Sequence, residues 1–278
     1  MKKHLVDLSK WNDKINWPVA APQIEFAICR VQYGSNLVDH LYNEHVSKLE
    51  QYGIPHAAYA YGCFVSVADA IVEAKDFLAR VNPNAKFLVL DVEDDTVKSM
   101  KSKGNLNDLA KASQAFIDTC KAAGWKVGFY VAHHMYGDYN LQSVQADFVW
   151  LPRYGTNDGN PQKKPSYPCD IWQYTDNGHI DGIGKVDINL LQGDKTLGWY
   201  INHVQEVQET KQNIIQSGAF SREYVPDVMG ALTSLKMTAN FTLKPDGQAY
   251  FISESTSDVQ LKGMKEYLDR KGWWYEDK

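Results

Sequence analysis

The chain has 278 residues, 44% of them hydrophobic and 23% charged, ordinary proportions for a globular protein and length enough for two domains. Its formal net charge is -5, and splitting the chain near residue 195 uncovers no basic arm, so nothing draws it to nucleic acid or to a membrane surface. Met1-Lys2-Lys3-His4-Leu5-Val6-Asp7 lacks the apolar core of a secretory signal peptide, and no stretch is apolar for long enough to span a bilayer. The expectation is a chain that stays in the cytoplasm until something releases it.

Up to about residue 195, strand-like apolar runs alternate with amphipathic helical patterns. The runs are Leu5–Leu8, Phe26–Val31, His56–Phe64, Phe87–Glu93, Val127–Val131, Phe148–Leu151 and Asp170–Tyr174. Helices are expected over Val67–Val81 and Leu106–Ala123; in the latter Leu109, Phe116, Ile117 and Cys120 mark one face and Gly124 supplies the stop. Such alternation predicts an α/β fold, a parallel sheet or barrel wrapped by helices. Phe87-Leu88-Val89-Leu90 is apolar on both faces, as a strand buried under helices is. Cys29, Cys63, Cys120 and Cys169 are scattered singly with no Cys-x-x-Cys pair, so zinc and redox motifs are absent. Cys29 and Cys120 read as buried small hydrophobes.

The character changes after Gln192-Gly193-Asp194. Residues 196–215 read as a polar helical linker, with Ile201, Val204 and Val207 at helical spacing. Residues 216–278 form a small α/β module. Tyr224–Leu235 is helical, with Pro226 in its first turn. Lys236–Leu243 and Gln248–Ser253 alternate around the turn Pro245-Asp246-Gly247. Val259–Arg270 is a second helix closed by Gly272, and Trp273-Trp274-Tyr275 a last strand. A unit this small gains from pairing as a homodimer.

The segment richest in chemistry is Phe87-Leu88-Val89-Leu90-Asp91-Val92-Glu93-Asp94-Asp95. Strand alternation puts Asp91 and Glu93 on the face of Phe87 and Val89, with Cα atoms roughly 6–7 Å apart. They close the strand, at the edge where active sites of barrels and open sheets gather. Two carboxylates facing one cleft raise each other's cost of ionising, so one stays protonated and can donate to a leaving glycosidic oxygen. Two other readings stay open here: an acidic loop that caps the next helix or is simply solvated, and a divalent-metal site. Asp7 also ends a strand, and Asp187 lies near the end of the first domain, so sequential strands lining one barrel would bring both to Asp91 and Glu93. Tyr59, Tyr61, Tyr130, Trp172 and Tyr174 fall near the same edges, and aromatic floors with carboxylate walls suit sugars. His133 and His134 read as loop residues rather than metal ligands.

The combination resembles family 25 glycoside hydrolases, the muramidase type of phage lysins. Seven segments carry the likeness, in the family's order over about residues 3–195. They are Asp7-Leu8-Ser9-Lys10-Trp11-Asn12, Tyr59-Ala60-Tyr61, Leu90-Asp91-Val92-Glu93, Gly128-Phe129-Tyr130, Trp150-Leu151-Pro152-Arg153-Tyr154, Trp172-Gln173-Tyr174-Thr175 and Val186-Asp187-Ile188-Asn189. The resemblance implies an irregular, flattened (β/α) barrel that cleaves the β-1,4 bond between N-acetylmuramic acid and N-acetylglucosamine in peptidoglycan glycan strands. It implies Glu93 as general acid, Asp91 as the carboxylate holding the substrate acetamido group, and Asp7 and Asp187 as further acids of the cleft. Tyr59, Tyr61, Tyr130, Trp172 and Gln173 match positions that shape the sugar subsites. No metal or other cofactor is implied, and both a substrate-assisted and an inverting route stay open. Trp150-Leu151-Pro152-Arg153 departs from relatives with a small residue in that segment.

The last 60 or so residues resemble the wall-binding domain that ends phage lysins of bacilli. Ser217-Gly218-Ala219-Phe220-Ser221, Met237-Thr238-Ala239, Gly247, Tyr250-Phe251 and Tyr267-Leu268-Asp269-Arg270-Lys271-Gly272-Trp273-Trp274-Tyr275 carry that likeness. It implies retention on peptidoglycan or a wall polysaccharide, with Trp273, Trp274 and Tyr275 as candidate wall contacts and at least one of them in the core. The resulting expectation is an enzyme held in the host cytoplasm and acting on the wall after release. The competing readings are a non-catalytic wall-binding protein and a chitin-type glycosidase.

Overall fold

In the computed structural model, which describes residues 3–202 and 213–278, the first part of the chain builds a nine-stranded sheet. Its strands are β1 (His4–Leu8), β2 (Ile24–Tyr33), β3 (Leu37–Val38), β4 (His56–Tyr61), β5 (Leu88–Val92), β6 (Val127–Val131), β7 (Phe148–Pro152), β8 (Ile171–Ile180) and β9 (Gly184–Leu191). From β1 through β2 and β4 to β8 neighbours pair in parallel. β9 then folds back antiparallel to β8 and pairs antiparallel with β1. Because β1 touches both β9 and β2, eight strands close into a ring, and β3 hangs from β2 as a short arm. Closure leaves no unpaired edge among those eight.

The α/β barrel read from the sequence is the fold that forms. Its helices are α1 (Trp17–Ala20), α2 (Tyr42–Gln51), α3 (Val67–Arg80), α4 (Asp94–Ser102) and α5 (Leu109–Ala122), all before β6. Between β6 and β9 the described residues contain no α-helix, which is where the barrel is irregular. Helical spacing marks α3 and α5 but passes over α2 and α4. Both are short and polar, and α2 buries little more than Tyr42, His45, Val46 and Leu49.

Alternation decides what fills the ring. Leu5, Phe26, Ile28, Phe87, Val89 and Phe148 belong to one inner apolar cluster. Their strand neighbours Val6, Leu88, Leu90 and Phe129 belong to the outer one, with Phe77, Phe116, Cys29 and Cys120. Gly128 shares the inner face with Tyr130, and a Cβ there would lie 2.1 Å from the Phe148 ring, so no other residue fits.

Helix α6 (Leu197–Ile201) adds Tyr200, which is 1% exposed, against Phe87 and Phe148 at 5.6 and 5.2 Å between ring centroids. Those two phenylalanines stand where β5 and β7 begin, so Tyr200 seals the end of the ring opposite the strands' carboxyl ends. The linker expected from residue 196 therefore starts too early: Thr196 caps α6, and α6 belongs to the barrel unit. Val204 and Val207 lie outside the described residues.

The second unit is described by itself. Its strands β10 (Ile215–Ser217), β11 (Phe220–Ser221), β12 (Ala239–Leu243), β13 (Gln248–Ser253) and β14 (Tyr275–Asp277) form an antiparallel sheet with β13 central. Helices α7 (Val225–Ser234) and α8 (Asp258–Lys271) supply Val228, Leu232, Met264 and Leu268 to a core shared with Ile215, Phe220 and Phe251. Ser257 and Gln260 form a capping box at the start of α8, and Gly272 ends it at φ +66°.

Candidate active site

The inner face of β5 runs Phe87, Val89, Asp91, and its next inward position is Glu93, one residue past the strand. Glu93 stands at the N-cap of α4, so the capping reading and the cleft reading describe the same residue. Its backbone N–H donates to Thr96 Oγ1 at 3.2 Å, and that hydroxyl donates to Gly62 O at 2.6 Å. The Gly62 N–H in turn donates to Asp91 O at 2.8 Å. The end of β5 is thus tied to the loop after β4, and both acids line the cavity.

Asp7 and Asp187 arrive from β1 and β9, where they are partners in antiparallel register. With Asp91 and Glu93 they line one cavity of about 210 Å³ at the carboxyl ends of the parallel strands. A fifth acid, Asp176, joins them, and Tyr59, Tyr130, Trp150, Tyr154 and Gln173 complete the walls.

Asp7 is buried and braced. Gln173 Nε2 donates to both of its oxygens at 3.1 Å, and Asn189 Nδ2 donates to Oδ2 at 2.8 Å. Gln173 cannot turn, because its Oε1 accepts from Tyr130 Oη at 3.1 Å and Tyr154 Oη at 2.6 Å. Asn189 is fixed likewise, its Oδ1 accepting from Trp150 Nε1 at 2.8 Å. Asp91 differs: it is buried, and its Oδ1 has no partner among the described residues. A buried acceptor left unpaired in this way costs stability unless a ligand satisfies it.

Burial pushes all four acids up, as removal from water disfavours the charged form. For Asp91, repulsion from Glu93 and Asp7 adds to burial, and the Arg30 guanidinium opposes. Glu93 is pushed up to about 7 by burial, against a hydrogen bond from Asp91. Asp187 rises to about 9 through burial and the nearness of Asp7. Asp7 also rises with burial, but the amides of Asn189 and Gln173 favour its charged form, so Asp187 carries the proton of that pair. Arg30, whose Nε donates to Asp39 Oδ2 at 2.9 Å, is the counter-charge beneath this acid-rich site.

The residues expected from sequence are placed unevenly. Asp7, Asp91, Glu93, Asp187, Tyr59, Tyr130 and Gln173 come together. Tyr61 is absent from the cavity wall; it stacks on Tyr33 at 4.6 Å, and its hydroxyl accepts from Asp95 N. Trp172 does not line the cavity at all: alternation turns it away from Gln173, into the outer cluster, with Nε1 donating to Arg153 O. Its expected place at a sugar subsite is corrected accordingly. His133 accepts from Ser166 N and His134 meets Asp94, both in loops. In the second unit Trp273 stacks on Phe220 at 4.7 Å, Tyr275 packs on the core from β14, and Trp274 is 63% exposed.

Residues 6–183 match the family profile described as glycosyl hydrolases family 25. The chain belongs to that family. Residues 234–277 match the profile described as the PlyG cell wall binding domain. The lysozyme of Streptococcus phage Cp-9 is 31% identical over 143 residues, which are 48% of this chain and 39% of that protein. The lysozyme of Streptococcus phage Cp-1 is 33% identical over 139 residues, again 48% of this chain and 39% of the relative. The match thus spans well under half the length of these curated relatives. The catalytic domain of the endolysin ply40 from bacteriophage P40 of Listeria monocytogenes is 32% identical in sequence. Its structure superposes with a TM-score of 0.63 over 70% of this chain and 95% of that one.

Within this family 25 barrel, sequence reasoning missed Arg30, Trp150, Tyr154, Asp176 and Asn189 as parts of the site. Arg30 and Trp150 were within reach, since each continues an inward alternation, Phe26–Ile28–Arg30 and Phe148–Trp150. Asn189 follows from Asp187 once β9 is recognised as a strand. Tyr154 and Asp176 are displaced by loop and bulge geometry, for which period two gives no guide: Tyr154 lies past β7, and β8 shifts register between Thr175 and Gly178.

Proposed function

We propose that this chain is a phage-type endolysin that hydrolyses the β-1,4 bond between N-acetylmuramic acid and N-acetylglucosamine in the bacterial wall. The observation that carries the reading is the convergence of Glu93, held near a pKa of 7, with Asp91, Asp7 and Asp187 in one sugar-sized cavity. Family membership and likeness to phage lysozymes support it.

In this reading Glu93 donates its proton to the leaving oxygen as the glycosidic C–O bond breaks. The acetamido N–H donates to the unpaired Asp91 Oδ1, so that with substrate bound the proton shared by the Asp91–Glu93 pair rests on Glu93. As the acetamido oxygen bonds to the anomeric carbon, the Asp91 carboxylate balances the positive charge growing there. Water then attacks the anomeric carbon, gives its proton to the Glu93 carboxylate, and releases the acetamido group. Asp7 and Asp187 hold the wall of the cavity opposite this exchange. The C-terminal unit retains the enzyme on its substrate, with Trp274 as the exposed ring of the three candidates.

Mass spectrometry of digested Gram-positive walls tests the reaction. Fragments with new reducing N-acetylmuramic acid ends and no new amino groups are expected. New amines without reducing ends would mean an amidase or peptidase, and reducing N-acetylglucosamine ends a different glycosidase. For the tail, Trp274→Ala is expected to weaken wall sedimentation several-fold with unchanged melting, and Trp273→Ala to lower the melting temperature. The reverse pattern would reject the assignment of the exposed ring.

A further inference from the structure

We propose that Trp11 is a stacking platform for a sugar ring of the same glycan strand, outside the catalytic cavity; the inference rests on the muramidase reading above. Trp11 is 77% exposed, and two further apolar side chains, on the β3 arm, are also out in water, Leu37 at 61% and Val38 at 53%. A single exposed indole is unremarkable, but this one has exposed apolar neighbours and a backbone held by hydrogen bonds.

The loop that presents it is pinned on every side. Within it, Asn12 N donates to Ser9 O at 2.9 Å and Ser9 N to Asn12 Oδ1 at 3.0 Å. Lys10 N donates to Asp39 Oδ2 at 2.9 Å, the same oxygen that receives Arg30 Nε, so the loop lies beside the arm carrying Leu37 and Val38. His45 Nε2 reaches Asn12 O at 3.0 Å. Asn12 Nδ2 donates to Lys185 O at 3.2 Å, two residues before Asp187. Trp11 is therefore anchored to both strands that bring Asp7 and Asp187 into the cavity. It stands four residues past Asp7, a chain reach of roughly 13 Å at most.

Lys10 Nζ lies 4.8 Å from the Trp11 ring centroid, covering part of the indole and leaving a broad apolar surface. A flat aromatic ring on a loop with a fixed backbone, four residues past a cavity acid, fits the apolar face of a pyranose. The occupant is the glycan strand itself, because the loop leaves β1 directly after the strand that carries Asp7 and is tied to β9 two residues before Asp187. A polymer that enters a cavity of about 210 Å³ leaves most of its length outside. Trp11 would then add affinity for long strands and none for short ones.

Binding of soluble, peptide-free glycan oligomers, read by intrinsic fluorescence in the full-length Glu93→Gln variant, tests this apart from catalysis. With Trp11 present, octasaccharide should bind more tightly than tetrasaccharide. In the Glu93→Gln, Trp11→Ala double variant that preference should shrink roughly three- to ten-fold, and Trp11→Phe should restore part of it. An unchanged preference overturns the proposal, as does an equal loss of affinity for both lengths. An effect seen only with strands that carry stem peptides would mean that the loop holds peptide, and overturns it too. Failure of the muramidase reading would show elsewhere, as cleavage by Glu93→Gln or the wrong bond broken by the wild type.

Discussion

The site holds two pairs of carboxylates built in opposite ways. Asp91 and Glu93 lie two residues apart, one in β5 and the other just past its end, whereas Asp7 and Asp187 face each other across two strands from opposite ends of the barrel chain. The second pair is finished internally: two fixed amides serve Asp7, and Asp187 holds the shared proton. The first pair is left unfinished. Asp91 Oδ1 has no partner among the described residues, and Glu93 sits near neutrality, where a proton is gained or lost with little cost. Polar groups satisfied by the protein make a scaffold, and those left for a ligand do chemistry.

If that contrast is right, Glu93→Gln gives the largest effect. It should lower kcat by at least about a thousand-fold while the protein still folds and binds walls. The wild-type rate should fall as pH rises through about 7, because the acid needs its proton and the Glu93 pKa lies there. A rate that keeps climbing to pH 9 would assign Glu93 a different role. Next, Asp91→Asn should cost roughly a hundred- to a thousand-fold, mainly in kcat, since the missing charge matters most as the acetamido group becomes cationic. A loss confined to KM would place Asp91 with the scaffold pair and break the contrast.

How much of this was legible follows the same division. The strand pair could be read directly, because alternation from Phe87 and Val89 fixes where Asp91 and Glu93 point. The cross-strand pair could be suspected from strand ends and no more. Its geometry depends on β9 returning antiparallel to meet β1, a long-range closure that no local pattern encodes. Trp172 shows the cost of reading a motif without its alternation: next to Gln173 in sequence, it belongs to the other side of the sheet. The place of α6 was hidden for a related reason. Trp199 and Tyr200 look like two aromatics at the head of a polar stretch until the Phe87 and Phe148 rings that Tyr200 covers are known.

The smallest expected effect distinguishes the pairs by stability rather than rate. A carboxyl whose pKa is raised by folding binds its proton more tightly in the native state than in the unfolded chain. Its contribution is therefore complete below the unfolded pKa, roughly 4, and is lost as pH rises through the folded value. For Glu93 that window closes near pH 7, and for Asp187 near pH 9. At pH 5 neither group should penalise folding much; at pH 8 both do, Asp187 over the longer range. Replacing either by its neutral amide removes the penalty, and an amide introduced in place of the Asp187 carboxyl can still donate to Asp7. Asp187→Asn should then raise the melting temperature at pH 8 relative to pH 5 by about 2–4 °C more than Glu93→Gln does, with only about a ten-fold loss of activity. Should Asp187→Asn instead destabilise the protein equally at both pH values, the cross-strand pair does not share a proton. Its closeness would then have to be explained by packing alone.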